Sequence, residues 1–161
     1  MSDLLERLRH PDATRDRFRF ADYPMHYFAA IQRRNQINVE RKLEAINISP
    51  VDWRVLGALH EHPGLTVSDL TEITVIDRFK VSRCLGRLSE RKLVEERTAD
   101  QDRRRRRTFL TEAGLATYRD AYGIMSQVYL ANFDGLSEAD LEVLMTLLQK
   151  IKDNVYRVEG Y

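Results

Sequence analysis

Apolar residues at helical spacing mark both ends of the chain. Pro24, with Asp22 as a candidate cap, precedes a long helix that we predict from Met25 to about Ala45. Near the other end, Ser137 and Asp140 have the spacing of a capping box at the start of a last helix. The apolar stripes of these helices are Phe28, Ile31, Asn35, Val39 and Leu43 in the first, and Leu141, Leu144, Leu148, Ile151 and Val155 in the last.

Two shorter helices are predicted after the first. Ser49-Pro50 has the chemistry of a helix start, because serine is a good N-cap and proline fits the first helical position. This helix ends before Pro63. Thr66 opens the next helix, in which we expect Leu70 and Ile73 to face inward.

A fourth helix and a β-hairpin follow. Asp77 is a suitable N-cap for this helix. Alternation then predicts a strand over Lys92–Arg97, a turn over Thr98–Asp102 and a returning strand over Arg106–Leu110. A further helix runs from Thr111 to about Asn132. The predicted core positions of the fourth helix are Val81, Leu85 and Leu88, at i, i+4 and i+7.

This order of elements predicts a mainly α fold with a small β-hairpin, the arrangement of a winged helix-turn-helix. We predict an N-terminal extension, partly helical, over residues 1–22 and a dimerisation helix over 23–47. The winged helix-turn-helix would occupy 48–111 and C-terminal dimerisation helices 112–161. The end helices have larger apolar faces than a small centre can cover, so a second copy of the chain is the simplest partner. An intramolecular bundle is the alternative.

The composition indicates a cytoplasmic protein. Of the 161 residues, 43% are apolar and 32% are charged, so the chain can bury a core and remain soluble. No apolar run has the length of a membrane span, and Met1–His10 lacks the apolar centre of a signal peptide. A single cysteine excludes an internal disulfide.

Positive charge is concentrated in one segment. The formal net charge is only +1, but residues 74–107 contain twelve Lys or Arg against six Asp or Glu. The rest of the chain has fourteen basic and nineteen acidic residues. A basic segment on an acidic body indicates a localised site for a polyanion.

The fourth helix can present a basic face to DNA. Its apolar stripe fixes the opposite face, where Arg and Lys can pair with guanine in a major groove. In the preceding helix, Thr66, Ser68 and the free backbone N–H groups would contact phosphate. A solvated surface helix is the simpler interpretation if this helix is considered alone. The predicted contacts of the fourth helix are Arg78, Phe79, Lys80, Ser82, Arg83 and Arg87.

The hairpin favours DNA over a solvated surface. The five consecutive arginines Arg103–Arg107 would repel one another unless an anion neutralises them. An arginine at the tip of a two-stranded ribbon suits the negative potential of a narrow minor groove. Asp102 can hold a neighbouring guanidinium by a bidentate pair. The alternative is a disordered basic loop. The predicted hairpin contacts are Asp102, Arg103, Arg104 and Arg105.

The chain resembles the MarR family (multiple antibiotic resistance regulator) from about Met25 to Val155. Each matching piece is short, and their order is what makes the resemblance specific. It implies a triangular dimer with terminal helices at its interface, and a recognition helix and a wing on each half of a pseudo-palindromic operator. The matching segments are Ile48–Leu56, Val67–Leu70, Ile76–Arg78, Val81–Arg83, Leu88–Val94, Asp102–Arg104 and Leu110–Gly114.

The resemblance also implies individual roles. Arg104 occupies the wing position expected to enter the minor groove. Phe79 and Lys80 depart from the family, which more often has small hydroxylated residues there. Lys92 replaces the usual glycine before Leu93, so the turn at that point is expected to differ.

Members of this family commonly release DNA when an aromatic or lipophilic anion binds. His26, Arg33 and Trp53 are the candidate effector contacts. The alternative roles are a core anchor for Trp53 and a salt-bridge partner for Arg33.

Other chemistry has little support in the sequence. Cys84 is expected to be a small core residue rather than a redox switch, because it neighbours the apolar stripe. His60 and His62 are two positions apart, which is poor spacing for a metal on one helical face. No phosphate-binding glycine loop or activated nucleophile indicates an enzyme, and no cofactor is expected.

These observations predict a dimeric, sequence-specific transcriptional regulator of duplex DNA, more specifically a repressor relieved by a small-molecule effector, with no membrane partner. Two alternatives remain open. One is a dimeric protein-interaction module with a basic docking hairpin. The other is a largely unspecific architectural DNA binder.

Overall fold

Helices form most of the structure, a computed structural model that describes residues 23–99 and 102–157, with the backbone alone at residues 98, 99 and 102–105. A short 3₁₀ turn at Glu44–Ile46 links the first two helices. The elements in chain order are α1 Pro24–Leu43, α2 Pro50–Glu61, α3 Val67–Thr74, α4 Arg78–Glu90, β1 Val94–Ala99, β2 Asp102–Leu110, α5 Glu112–Asn132 and α6 Glu138–Arg157.

The chain divides into two compact units, with the boundary after Ile124 inside α5. The first unit contains α1 to α4, the hairpin and the first part of α5, and the second contains the rest of α5 and α6. The first unit has a well-defined apolar core. The buried side chains at its centre include Leu43, Val55, Leu56, Leu59, Leu70, Val81, Leu85 and Leu88.

Large apolar side chains stay exposed on α6, in which no residue is buried. The predicted stripe of this helix is half-buried at Leu141, Leu144 and Leu148, and it is exposed at Ile151 and Val155. The other exposed apolar side chains of α6 are Val143, Met145, Leu147 and Tyr156. None of the described helices is long and apolar enough to span a bilayer.

Local side-chain chemistry starts the central helices, as predicted. Ser49 and Asp52 form a reciprocal capping box at the start of α2, with Pro50 at the first helical position. Thr66 and Asp69 do the same for α3. The Asp77 side chain accepts a hydrogen bond from the backbone N–H of Lys80 at 3.0 Å at the start of α4. Each cap stabilises its helix by about 1 kcal/mol. In α1, Tyr23 is the N-cap residue and makes no side-chain cap, and the predicted cap, Asp22, lies outside the described residues.

The prediction that Ile73 faces inward is wrong. Its side chain is 46% exposed, whereas Leu70 and Thr74 are buried. The buried stripe of this two-turn helix therefore runs at i, i+4, and Ile73 lies at its edge. The burial of Cys84 and of Val81, Leu85 and Leu88 is confirmed.

The hairpin is longer than the predicted one. Its two strands are antiparallel, and Val94 pairs with Leu110 and Thr98 with Arg106, with an irregularity after Thr98. The second strand already begins at Asp102 and includes the arginine run, in which Arg106 and Arg107 pair with Thr98 and Arg97.

The turn before β1 keeps a left-handed residue although it lacks a glycine. Lys92 has φ of 57°. Its N–H donates to the carbonyl of Ser89 at 2.8 Å, and the N–H of Leu93 donates to the carbonyl of Leu88 at 2.9 Å. The turn is thus closed by its own backbone. Gly114 at the start of α5 lies against this segment, where an added Cβ would be 1.9 Å from the Leu93 carbonyl oxygen.

Candidate nucleic-acid interface

The outward face of α4 is defined by its buried face. Val81, Cys84, Leu85 and Leu88 are buried in the first unit. At 100° per residue, the positions opposite this stripe are Phe79, Arg83 and Gly86, at i, i+4 and i+7. Phe79 is 70% exposed, and Ser82 and Arg83 beside it are also exposed. One exposed surface therefore contains the ring of Phe79, the guanidinium of Arg83 and the helix backbone at Gly86, which has no side chain.

The basic side chains of α4 have different partners. Lys80 forms an exposed ion pair with Asp77 at 3.2 Å. The guanidinium carbon of Arg83 lies 5.6 Å from the centroid of the Phe79 ring. Arg78 donates a hydrogen bond to the Ser68 hydroxyl at 3.0 Å. An exposed ion pair contributes little to stability, so the lysine can exchange its partner for a phosphate at small cost.

A cationic cavity surrounds the N-terminus of α3. The predicted phosphate contacts Thr66 and Ser68 line it together with Arg78, Arg106 and Arg107 and with the capping carboxylate of Asp69. Arg107 donates to the carbonyl of Gly64 at 3.1 Å, which fixes the β2 strand next to the loop before α3. Three guanidinium groups and the positive end of a helix meet here, the chemistry that binds phosphate oxygens. Arg106 and Arg107 were not among the predicted contacts, because only the strand register brings them to this helix.

Arg87 joins a network with two buried residues, although its own side chain is 47% exposed. Its guanidinium contacts the Asp52 carboxylate at 2.9 Å, and the Cys84 thiol donates to the same oxygen at 3.1 Å. Asp52 is only 4% exposed. The network ties the start of α2 to the middle of α4, so Arg87 holds the helix in place from one side. Its predicted DNA contact stays a prediction.

Opposing effects set the acidity of this network. Burial by itself raises the pKa of Asp52, but hydrogen bonds from the Ser49 backbone, Cys84, the Ser49 hydroxyl and Arg87 outweigh it, so the pKa lies below its ordinary value. Burial, with the Asp52 hydrogen bond and charge, raises the pKa of the Cys84 thiol well above its ordinary range. The carboxylate is therefore charged and the thiol protonated at neutral pH.

The hairpin arms carry further basic side chains. Arg106 forms an ion pair with Glu96 at 3.1 Å. Arg97 lies over the Phe109 ring at 4.6 Å and contacts Glu95. The side chains of the predicted wing contacts lie outside the described residues, so these contacts stay predictions; they are Asp102, Arg103, Arg104 and Arg105.

The three predicted effector contacts fall into two places. His26 and Arg33 line one groove along α1, together with Ala30, Arg34 and Ile37 among others. The Trp53 ring on α2 instead stacks against Tyr118 of α5, with 5.5 Å between centroids and 5° between planes. His60 stacks on the same tyrosine at 4.2 Å.

Tyr118 completes an aromatic cluster that sequence reasoning missed. No local motif marks this residue, since its partners come from a different helix. The cluster formed by Trp53, His60 and Tyr118 is half-buried or exposed rather than part of the core, and it also explains the position of His60 without a metal.

The α3–turn–α4 unit followed by an antiparallel hairpin is the arrangement of a winged helix-turn-helix protein. Residues 46–105 match the sequence model of the MarR family. The HTH-type transcriptional repressor IacR of Pseudomonas putida is 27% identical over 146 residues, which cover 91% of this chain and 87% of that protein. Residues 46–105 thus carry the sequence pattern of the MarR family, and the chain as a whole is similar to a MarR-family transcriptional regulator.

Solved structures of similar proteins have the same fold. The structure of Bordetella bronchiseptica BpsR, whose DNA binding is regulated by 6-hydroxynicotinic acid, has a TM-score of 0.77 at 24% identity. That similarity covers 84% of this chain and 97% of BpsR. The S. aureus MepR–DNA complex has a TM-score of 0.75 at 25% identity, covering 82% of this chain and 98% of MepR. The fold is therefore the MarR winged helix, as the sequence predicted.

Proposed function

We propose that the chain is a dimeric, sequence-specific DNA-binding repressor. The observation that carries the proposal is the outward face of α4, where Phe79 and Arg83 project opposite the buried stripe and Ser82 is exposed beside them. A helix of this kind fits a major groove and offers hydrogen-bond donors and an apolar surface to base edges. IacR is described as a repressor, which favours repression over activation.

Two further surfaces would hold the protein on the duplex. The cationic cavity at the start of α3, with Arg78, Arg106 and Arg107, suits a backbone phosphate beside the recognition helix. Arg104 in the wing would enter the adjacent minor groove. Arg104→Ala should therefore weaken binding to all duplexes, whereas Arg83→Ala should relax base preference at defined positions.

Dimerisation would cover the exposed apolar surface of the end helices. The two regions are 23–47 and 112–161, and the apolar side chains of α6 support the idea, since no residue of that helix is buried in a single chain. The expected partner is a second copy, because a two-fold dimer matches a pseudo-palindromic operator. One chain has a mass of 18.9 kDa, and sedimentation of the full chain would then give twice this mass.

A gel-shift against genomic fragments with random duplex as competitor tests the central proposal. A specific regulator should bind its site at least about 10³-fold more tightly than random duplex, and log affinity should fall with log salt by about 0.9 per neutralised phosphate. A ratio near one would favour an architectural DNA binder. Absence of duplex binding at moderate salt would favour a protein-interaction module.

We further infer that a small aromatic or lipophilic anion relieves DNA binding. The groove lined by His26 and Arg33 on α1 supports this, as does the similarity to BpsR, whose DNA binding is regulated by 6-hydroxynicotinic acid. Trp53 is the sole tryptophan, so its fluorescence reports directly on the neighbouring cluster. Arg33→Ala should abolish release of DNA by an aromatic acid. Arg41→Ala, on the same helix outside the groove, is the charge-matched control.

A further inference from the structure

Phe79 and Arg83 form an exposed pair on the first turns of α4. Phe79 is 70% exposed, and the Arg83 guanidinium carbon lies 5.6 Å from its ring centroid. The two residues are four positions apart, so they project from one side of the helix. Both lie opposite the buried stripe, and both are exposed among the described residues.

The fold itself gives no reason for this pair. A phenylalanine that stays exposed gains no burial energy, and a cation–π contact at an exposed site contributes only about 0.5–1 kcal/mol. The other basic side chains of α4 have polar partners: Arg78 bonds Ser68, Lys80 bonds Asp77 and Arg87 bonds Asp52. Among the described residues, Arg83 forms no ion pair. Its guanidinium is held by an aromatic ring and keeps its N–H donors available.

The chemistry of this pair matches two adjacent groups on DNA. The C5-methyl of thymine is an apolar group on the edge of the major groove, and phenylalanine is among the side chains that pack on it. Arginine pairs bidentately with the O6 and N7 acceptors of guanine. Neighbouring bases on a strand are about 3.4 Å apart. The Arg83 guanidinium carbon and the Phe79 ring centroid are 5.6 Å apart, so the two side chains can reach neighbouring bases. A ring and a guanidinium in contact with each other can therefore meet neighbouring bases together.

We propose that Phe79 packs on the methyl group of a thymine while Arg83 pairs with a neighbouring guanine in each operator half-site. This proposal rests on the proposed function, because it names the bases that the α4 surface recognises. It also accounts for the bulky residue at position 79, since a small hydroxylated residue would not reach a methyl group with an apolar surface.

Single-atom changes in DNA test the proposal. The best duplex is first selected from a random pool with the full-length protein. Each thymine is then replaced singly by deoxyuridine, which removes the methyl group and keeps base pairing, and each guanine by 7-deazaguanine, which removes N7. We expect one deoxyuridine position per half-site to weaken wild-type binding about fourfold, the effect of one buried methyl group. The 7-deazaguanine effect should occur at the neighbouring base.

The two variants control for each other. Phe79→Ala should bind thymine and deoxyuridine duplexes equally, while it stays sensitive to 7-deazaguanine. Arg83→Ala should show the reverse pattern, and Phe79→Leu should recover part of the methyl effect. Both side chains are exposed, so unchanged thermal unfolding is expected and is checked for each variant.

The possible results separate the two proposals. If the protein selects a sequence but no thymine methyl matters, or if Phe79→Ala keeps the methyl effect, the assignment of Phe79 is wrong while sequence-specific binding stands. If guanine substitution affects Arg83→Ala as much as wild type, the assignment of Arg83 is wrong. If no sequence is enriched over random duplex, both this inference and the proposed function fail.

Discussion

At the scale of single residues, Asp52 has two tasks. It completes the capping box of α2 with Ser49, and it accepts hydrogen bonds from Cys84 and Arg87 of α4. The first task is local, and the second joins residues of two helices that are more than thirty positions apart in sequence. Loss of the carboxylate charge therefore removes a cap and a tie to the recognition helix at once.

The depressed pKa of Asp52 predicts a pH dependence of stability. Because the folded-state pKa lies below the ordinary value of about 3.9, the stabilisation is complete above that value and is lost as the pH falls through the folded-state pKa. Asp52→Asn should lower the free energy of unfolding at neutral pH by about 1.5–3 kcal/mol, the range for hydrogen bonds to a charged group.

Urea unfolding of wild type and Asp52→Asn at neutral and acidic pH measures this effect. The gap between the two proteins should shrink below about pH 4. Asp134→Asn, which changes an exposed turn carboxylate, is the control and should show a small effect at every pH. A gap that does not change with pH would mean that the Asp52 charge is not what stabilises the network.

Cys84 is predicted to be chemically inert in the folded protein. It is fully buried, and burial beside Asp52 raises the pKa of its thiol, so little thiolate is available to react. Alkylation should occur only through unfolding and should be at least about a hundredfold slower than in urea. As the chain has one cysteine, the mass increase after iodoacetamide treatment is unambiguous. Alkylation of the native protein at the rate of a free thiol would restore the redox-switch hypothesis.

At the scale of elements, α4 contains Gly86, although the packing of the helix leaves room for a larger residue at this position. A Cβ on Gly86 would meet no atom within 4 Å, and a glycine inside a helix costs about 1 kcal/mol relative to alanine. Gly86 lies on the outward face, at i+7 from Phe79. We interpret it as a place where the helix backbone comes close to DNA.

Gly86→Ala should therefore raise stability and lower affinity for DNA. The free energy of unfolding should rise by about 1 kcal/mol, and binding to the selected duplex should weaken because the added methyl group occupies space needed by the DNA. Gly123→Ala in α5, where an added Cβ is also uncrowded, is the control for helix propensity. Stabilisation without any loss of affinity would show that Gly86 does not contact DNA.

The elements were predictable where the signal is local. Ser49, Thr66 and Asp77 start their helices through hydrogen bonds within three residues, so the sequence alone reveals them. The Asp52–Arg87 contact joins positions 35 apart and depends on how α2 packs on α4. Ile73 was placed wrongly because burial in a short helix depends on its neighbours, not on apolar character.

The candidate site was predictable in part for the same reason. The outward face of α4 follows from helical periodicity, so Phe79 and Arg83 could be named in advance. Arg106 and Arg107 join the start of α3 only through strand pairing, since the Thr108 N–H donates to the carbonyl of Leu65 at 2.9 Å. The separation of Trp53 from His26 and Arg33 likewise depends on which helix faces which.

At the scale of the whole molecule, we expect DNA binding to need the α4 surface, the hairpin and the proposed dimer together. Taken alone, α4 could be an ordinary amphipathic surface helix, the hairpin a basic loop and α6 an exposed apolar helix. The formal charge of +1 is compatible with DNA binding because the basic residues are concentrated on one segment. Affinity would come mainly from phosphate contacts, and specificity from the first turns of α4.

Hydroxyl-radical footprinting of the selected duplex, with the stoichiometry of the complex, tests this central claim most directly. The account predicts two symmetric protected regions about 10 bp apart, centre to centre, with protection of the minor groove beside each and two chains per duplex. A single protected region, uniform protection along the duplex, or one chain per site would contradict it.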